Sequence, residues 1–210
     1  KFWFEHGEKG SPWLITGKNT SLVMDKTTPF TGAQTPVLNV TAAENMSLLQ
    51  NGLGLKANLV YTGRIVLKAT TGITSVEKNL NGGNTRETVT LKGITDSYKT
   101  YPIVFKSVEA TLNATLTITA KGDGKVWIGT LSLMPSDNIE GFRSDVIALL
   151  RELNSPVYRW PGGNFVSGYN WKDGIGDRDK RPPRKNPAWT GVEHNDVGIH
   201  EFMTFCKLLN

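Results

Sequence analysis

Residues 157–171 read Val157-Tyr-Arg-Trp-Pro-Gly-Gly-Asn-Phe-Val-Ser-Gly-Tyr-Asn-Trp171, and this stretch decides how the chain is organised. Val157, Tyr158 and Trp160 are β-formers bracketed by Pro156 and Pro161, so a short buried strand is expected. Pro161, Gly162 and Gly163 then stop it, because proline removes a ladder donor and glycine permits unusual dihedrals. Asn164, Phe165, Ser167, Tyr169, Asn170 and Trp171 follow. A strand that ends abruptly in amides and aromatics suits a sugar site: rings cover the apolar face of a sugar, and Asn both donates to and accepts from hydroxyls.

Upstream of this strand, Ile139, Phe142, Val146, Leu149, Leu150 and Leu153 recur at helical spacing. Asp137 and Glu140 resemble a capping box at its start, and Asn154-Ser155-Pro156 ends it. Downstream, residues 197–210 are again helical, with Ile199, Phe202, Met203, Cys206 and Leu209 on one stripe. Helix, strand, loop, helix is the pattern of an α/β fold around a parallel sheet.

The sequence before residue 135 has a different character. Residues 1–50 show no sustained period, and Trp3, Phe4 and Trp13 read as core aromatics. Strands are expected over 53–62 and 64–69 (joined through Gly63), 87–91, 102–110, 111–120 and 125–134, with 79–84 as a loop. In 111–120, Leu112, Ala114, Leu116, Ile118 and Ala120 share one face and threonines and Asn113 the other, a half-buried strand. Residues 121–124 read as the turn of a hairpin. Short strands with glycine-rich punctuation imply an antiparallel jelly-roll sandwich. The domains expected are therefore 1–135, a β-sandwich, and 136–210, an α/β unit.

The formal net charge is +5. Residues 1–135 carry 14 Lys/Arg against 9 Asp/Glu, and residues 136–210 carry 10 of each. The basic cluster Arg178, Lys180, Arg181, Arg184 and Lys185 thus sits in the neutral part, interleaved with Asp177 and Asp179, and reads as a solvated face rather than a nucleic-acid site. No apolar run is long enough for a membrane span. The chain opens on Lys1-Phe2-Trp3, which fits a processed or excised piece better than a natural start. No cofactor is expected and no metal set is convincing: His194 and His200 lack ligand spacing, and Cys206 falls on an apolar stripe. Sequons at Asn19, Asn39, Asn45 and Asn113 lead to the expectation of a secreted, glycosylated protein.

R-W-P-G-G-N-F-V-S-G-Y-N-W-K-D-G-I-G, then R-P-P-R-K-N-P-A-W and V-E-H-N-D-V-G-I-H-E-F, resemble glycoside hydrolase family 51, the retaining α-L-arabinofuranosidases, over roughly residues 137–210. The first two thirds look like the carbohydrate-binding-module-like sandwich that multidomain members carry. The resemblance implies a (β/α)8 barrel whose site lies at the C-terminal strand ends. It makes Asn164 a hydrogen-bond partner of the arabinofuranosyl hydroxyls, Arg159 a buried support of the nucleophilic Glu, and Trp189 a wall of the pocket mouth. Without it, Asn164 is a turn residue and Arg159 a buried ion-pair partner. Trp171 and Tyr169 read as packing.

Retaining hydrolysis needs two carboxylates about 5 Å apart. In the resembled family both are glutamates on later strands, the acid/base following an Asn, and no Asn-Glu pair occurs in this sequence. The expectation is therefore a segment of an arabinofuranosidase acting on arabinose-containing polysaccharide, with the catalytic pair outside these residues. The remainder of the barrel comes from another chain or from residues not in this sequence. The rival is a non-catalytic carbohydrate-binding module acting through residues 1–135, which requires two or three coplanar exposed aromatics.

Overall fold

Alternation of apolar and polar side chains builds ten strands among the described residues of the first part of the chain: β1 (Trp13–Thr16), β2 (Leu22–Asp25), β3 (Thr35–Val40), β4 (Met46–Leu55), β5 (Val60–Ala69), β6 (Ile73–Gly82), β7 (Thr85–Leu91), β8 (Lys99–Lys106), β9 (Thr111–Gly122) and β10 (Gly124–Pro135). The computed structural model describes residues 13–16, 21–186, 188–189 and 191–209. Two units are compact in themselves, Lys1–Ser136 and Asp137–Asn210. In the first, two five-stranded sheets run β1-β4-β9-β6-β7 and β2-β3-β10-β5-β8, with antiparallel pairings throughout. This is a β-sandwich of the jelly-roll kind.

β9 shows how pattern becomes layer. Ala114, Leu116, Ile118 and Ala120 are buried and join Leu38, Leu48, Ile65, Leu67, Phe105 and Ile128 in the core between the sheets. The opposite face is polar: Ser47 and Thr119 share a 2.8 Å hydroxyl hydrogen bond, and Thr115 donates to Asn51 at 2.8 Å. Leu112, expected on the core face, is 80% exposed. The register with β4 shifts between Leu53 and Leu55, opposite this residue, and such an irregularity turns a side chain to the other face.

Several boundaries differ from expectation. β9 and β10 do not form a hairpin: β9 pairs with β4 and β6, β10 with β3 and β5. The segment 121–124 is a corner between the sheets, with Gly122 at φ +120° and Gly124 at φ +152°, conformations that L side chains rarely adopt. The expected strand 53–62 contains a turn, with Asn58 at φ +52° between β4 and β5, and Gly63 lies inside β5 opposite Leu133. Asn79, Leu80, Asn81 and Gly82 are strand rather than loop, because β6 pairs there with both β7 and β9. Trp13 is core, as expected, whereas Trp3 and Phe4 lie outside the described residues.

One core position is a lysine. Lys78, between Val76 and Leu80 on β6, is 0% exposed, and its Nζ donates only to the Val76 carbonyl at 3.1 Å among the hydrogen bonds of the described residues. Burial lowers its pKa to about 8, with Glu77 opposing that shift.

The second unit contains α1 (Ser144–Leu153), a two-stranded ribbon of β11 (Arg184–Lys185) and β12 (Val192–Glu193), and α2 (Ile199–Leu209). The expected capping box does not form. Glu140 and Gly141 have positive φ in a turn closed by mutual backbone bonds of Ile139 and Phe142, and α1 begins only at Ser144. Its end at Asn154, in the left-handed conformation, precedes Pro156 as expected. Ile147 is the buried residue of α1, whereas Val146, Leu149 and Leu153 are exposed.

Residues 157–160 correct the buried-strand expectation. They have no ladder partner among the described residues, and Val157 is 74% exposed. A barrel strand is buried and paired by its neighbours, and these residues bring no neighbour strand to it. What holds the segment is aromatic packing on α2: Tyr158 meets Phe205 edge-on at 5.4 Å and Trp160 stacks on Phe202 at 5.8 Å. The apolar face of α2 is consequently built on Phe202 and Phe205, while Ile199 and Met203 of the expected stripe are exposed.

Candidate functional site

The Trp160–Pro161 peptide is cis, and Gly162 and Gly163 have φ of +76° and +60°. This reversal lets the chain enter a 3-10 segment at Asn164–Gly168 directly after the extended stretch. Asn164 is exposed. Arg159 is exposed too and forms no ion pair among the described residues, which corrects its expected burial against a carboxylate. The cause is the one that leaves Val157 bare: with no strand beside it, the segment has no low-dielectric interior to offer a guanidinium. Trp189 is 62% exposed near the tip of the loop between β11 and β12, where its backbone N–H donates to Asn186 Oδ1 at 2.8 Å. No contact among the described residues joins Asn164, Arg159 and Trp189.

The loop that carries Trp189 is rooted on α2. Arg181, expected on a solvated face, is only 3% exposed. Its Nη1 and Nη2 donate to the two Glu201 oxygens, each at 2.9 Å, and Nη2 also donates to the Gly176 carbonyl at 2.8 Å and Nη1 to the Asn195 carbonyl at 3.0 Å. Glu201 further accepts from Arg178 Nε at 3.2 Å and from the Gly198 N–H at 2.8 Å. Burial is the largest influence on this carboxyl and opposes its ionisation. The bonds from Arg181, Gly198 and Arg178 together outweigh burial and hold the pKa at about 2. Arg184 pairs with Asp173 at 2.8 Å, so it too is tied down.

Beside this anchor lie two cavities that share Phe165, Tyr169 and Glu193 as walls. One, about 370 Å³, is closed by Trp160, His194 and Val197; the other, about 380 Å³, by Asn170, Asp173, Arg184 and Asn195. Asn164, Arg159 and Trp189 line neither. Tyr169, read from sequence as packing, touches Trp160 at 5.3 Å and Phe165 at 5.0 Å and also faces both cavities. Burial raises its pKa, reinforced by the Glu193 carboxylate. Trp171, also read as packing, is exposed. Sequence reasoning missed Glu193 and Asn195, since their meeting with Tyr169 depends on the loop folding back through Arg181.

On the sandwich, Trp13 and Tyr61 are buried and Tyr101 packs against the core. Trp127 donates to Asp25 at 2.9 Å, with Lys68 Nζ 4.6 Å from its ring centre and 5.7 Å from that of Tyr98. These rings are locked into a small cluster rather than forming a flat exposed platform. Asn39 is half-buried in β3, Asn45 and Asn113 are exposed, and Asn19 lies outside the described residues. Among the described residues no group of three or more His, Cys, Asp or Glu could hold a metal ion, and no helix is long and apolar enough to cross a membrane.

Residues 149–210 match the family described as the α-L-arabinofuranosidase 1 domain. The chain is 55% identical over 71 residues to an intracellular exo-α-(1→5)-L-arabinofuranosidase of Acetivibrio thermocellus, covering 34% of this chain and 14% of that protein. It is 52% identical over 75 residues to a probable α-L-arabinofuranosidase C of Aspergillus clavatus, covering 36% of this chain and 15% of the relative. The chain thus matches only about a seventh of the length of these relatives. A solved arabinose-bound GH51 α-L-arabinofuranosidase shares the fold with a TM-score of 0.76 at 15% identity, over 93% of this chain and 36% of that one.

The fold is therefore a β-sandwich followed by the beginning of a (β/α)8 barrel. In sequence, residues 149–210 are similar to the α-L-arabinofuranosidases, and in fold the chain is similar to part of a glycoside hydrolase family 51 member. The expectation of secretion is corrected by the relatives, four of which are named intracellular. A three-residue sequon arises readily by chance in an Asn- and Thr-rich sandwich, so it carries no address.

Proposed function

We propose that this chain contributes the sandwich and the first barrel elements to an enzyme that removes terminal α-L-arabinofuranosyl residues from arabinoxylan or arabinan by double displacement. Residues 1–135 form its carbohydrate-binding-module-like sandwich and residues 136–210 the first part of its catalytic barrel. The observation that supports this reading is the sequence match over 149–210, which includes Arg159, Asn164 and Trp189. Asn164 hydrogen-bonds the sugar hydroxyls, Trp189 walls the pocket mouth, and Arg159 orients the nucleophilic carboxylate. In the complete barrel, neighbouring strands cover Arg159 and bring that carboxylate to it. The two catalytic carboxylates lie outside these 210 residues, about 5 Å apart as retention requires.

The test is Asn164→Ala in the complete enzyme, assayed on an aryl arabinofuranoside. Loss of one sugar hydrogen bond lowers kcat/KM by about 1–3 kcal/mol of transition-state stabilisation. An unchanged kcat/KM removes Asn164 from the site.

A further inference from the structure

We propose that Asn186 and Arg181 are positioning residues for Trp189: Asn186 at the tip of its loop and Arg181 at the root hold the ring where it walls the sugar pocket. The proposal rests on the pocket-mouth reading of Trp189 given above; the connection between the three residues rests on their hydrogen bonds alone.

Because Trp189 is largely exposed, its place is set by its backbone more than by packing of its ring. One oxygen fixes that backbone. Asn186 Oδ1 accepts from the Ala188 N–H at 2.9 Å and from the Trp189 N–H at 2.8 Å. The Asn186 N–H donates to the Gly191 carbonyl at 3.1 Å, closing the loop just beyond the paired residues Lys185 and Val192. Asparagine suits this position because its short amide reaches the N–H groups two and three residues ahead.

A ribbon with two residues in each strand is too short to be rigid by itself, so its root must be held. Asn195 Nδ2 donates to the Pro182 carbonyl at 2.7 Å, which pins the chain entering the ribbon to the chain leaving it. Arg181 Nη1 donates to the Asn195 carbonyl at 3.0 Å while both arms of the guanidinium grip Glu201 on α2. A planar fork with both arms occupied fixes direction as well as distance. A continuous path of bonds therefore runs from Glu201 through Arg181, Asn195 and Pro182 to the ribbon, and on through Asn186 to Trp189. A ring that must meet a sugar gains from being held in place beforehand, since ordering it on binding costs affinity.

The experiment uses the complete enzyme, with kinetics on an aryl arabinofuranoside and hydrogen exchange of the Ala188 and Trp189 amides followed by mass spectrometry. Asn186→Ala speeds that exchange about tenfold, because both amides lose their acceptor. It raises KM about threefold with kcat near the parent value, the pattern of lost uniform binding. Asn186→Asp keeps the accepting oxygen and restores both readouts. Trp189→Ala also raises KM, and adding Asn186→Ala to it raises KM no further, since one residue acts through the other. Arg181→Met with Glu201→Leu regains stability by removing both charges, yet leaves the Asn195 carbonyl without the Arg181 donor, so KM stays raised. Ile147→Val, a core change in α1 outside this path, lowers the unfolding midpoint and leaves KM at the parent value. The positioning role is overturned by unchanged exchange or KM in Asn186→Ala, by Asn186→Asp as impaired as Asn186→Ala, or by additive KM effects at Asn186 and Trp189. A parental KM in the Arg181–Glu201 double variant or a KM rise in Ile147→Val overturns it too, and all these outcomes leave Trp189 at the pocket mouth. An unchanged KM in Trp189→Ala strikes the pocket-mouth reading itself, and this proposal with it.

Discussion

Arg181 and Glu201 face each other as a two-armed ion pair, with N···O distances of 2.9 Å on both sides and little of either residue exposed. The pair joins a loop to the first turn of α2 across 20 residues of sequence, and the same two carboxylate oxygens also accept from the Gly198 N–H and from Arg178.

Breaking it from one side leaves a buried charge unmatched. Arg181→Met is expected to destabilise the second unit by about 3–5 kcal/mol, whereas replacing both partners, Arg181→Met with Glu201→Leu, recovers much of that loss. Denaturant unfolding of the single and double variants checks this; a single variant within about 0.5 kcal/mol of the parent contradicts it.

The same carboxyl gives an acid-side signature. Its folded pKa, about 2, is below the ordinary value of 4.5. Its contribution to stability is complete above about pH 4.5 and is lost as pH falls towards 2. Glu201→Gln should flatten the stability profile between pH 5 and 2 relative to the parent, measured as unfolding midpoints of the second unit.

Lys78 predicts the opposite end of the scale. Its folded pKa of about 8 lies below the ordinary 10.5, so the charged amine costs stability at every pH below 8. Between about pH 8 and 10.5 the unfolded chain binds more protons, and sandwich stability rises with pH by up to about 3 kcal/mol from this group. Lys78→Met removes the rise and stabilises the protein at pH 7; a variant less stable than the parent at pH 7 refutes the account.

At the corner between the sheets, Gly122→Ala and Gly124→Ala should each cost about 1–3 kcal/mol, since both glycines hold positive φ and an added Cβ meets Gly72 or Thr70. Gly93→Ala makes the control: its φ is also positive, +64°, but nothing lies within 4 Å of the added Cβ. Equal losses at Gly93 and Gly122 in thermal unfolding assign the effect to backbone conformation alone.

Local pattern carried the reading a long way. The alternation of residues 114–120 placed one face of β9 in the core, the Asn154-Ser155-Pro156 stop ended α1, and the motif from Arg159 to Phe202 pointed to the arabinofuranosidases. Periodicity, however, states which side of a strand is apolar and not which sheet the strand joins, so residues 121–124 passed for a hairpin when they are a corner. It also places charges on a helix or loop without saying what folds over them. Arg181 is buried because Glu201 comes to it from 20 residues away, while Arg159 is bare because no strand comes to its side. The sequence by itself determined the layers, the helices and the likeness to the arabinofuranosidases, all encoded in neighbouring residues. Only the tertiary structure decided which polar groups are enclosed, because burial is a property of distant segments meeting, and that is why the cavity at Tyr169 and Asn195 could not be read from the chain.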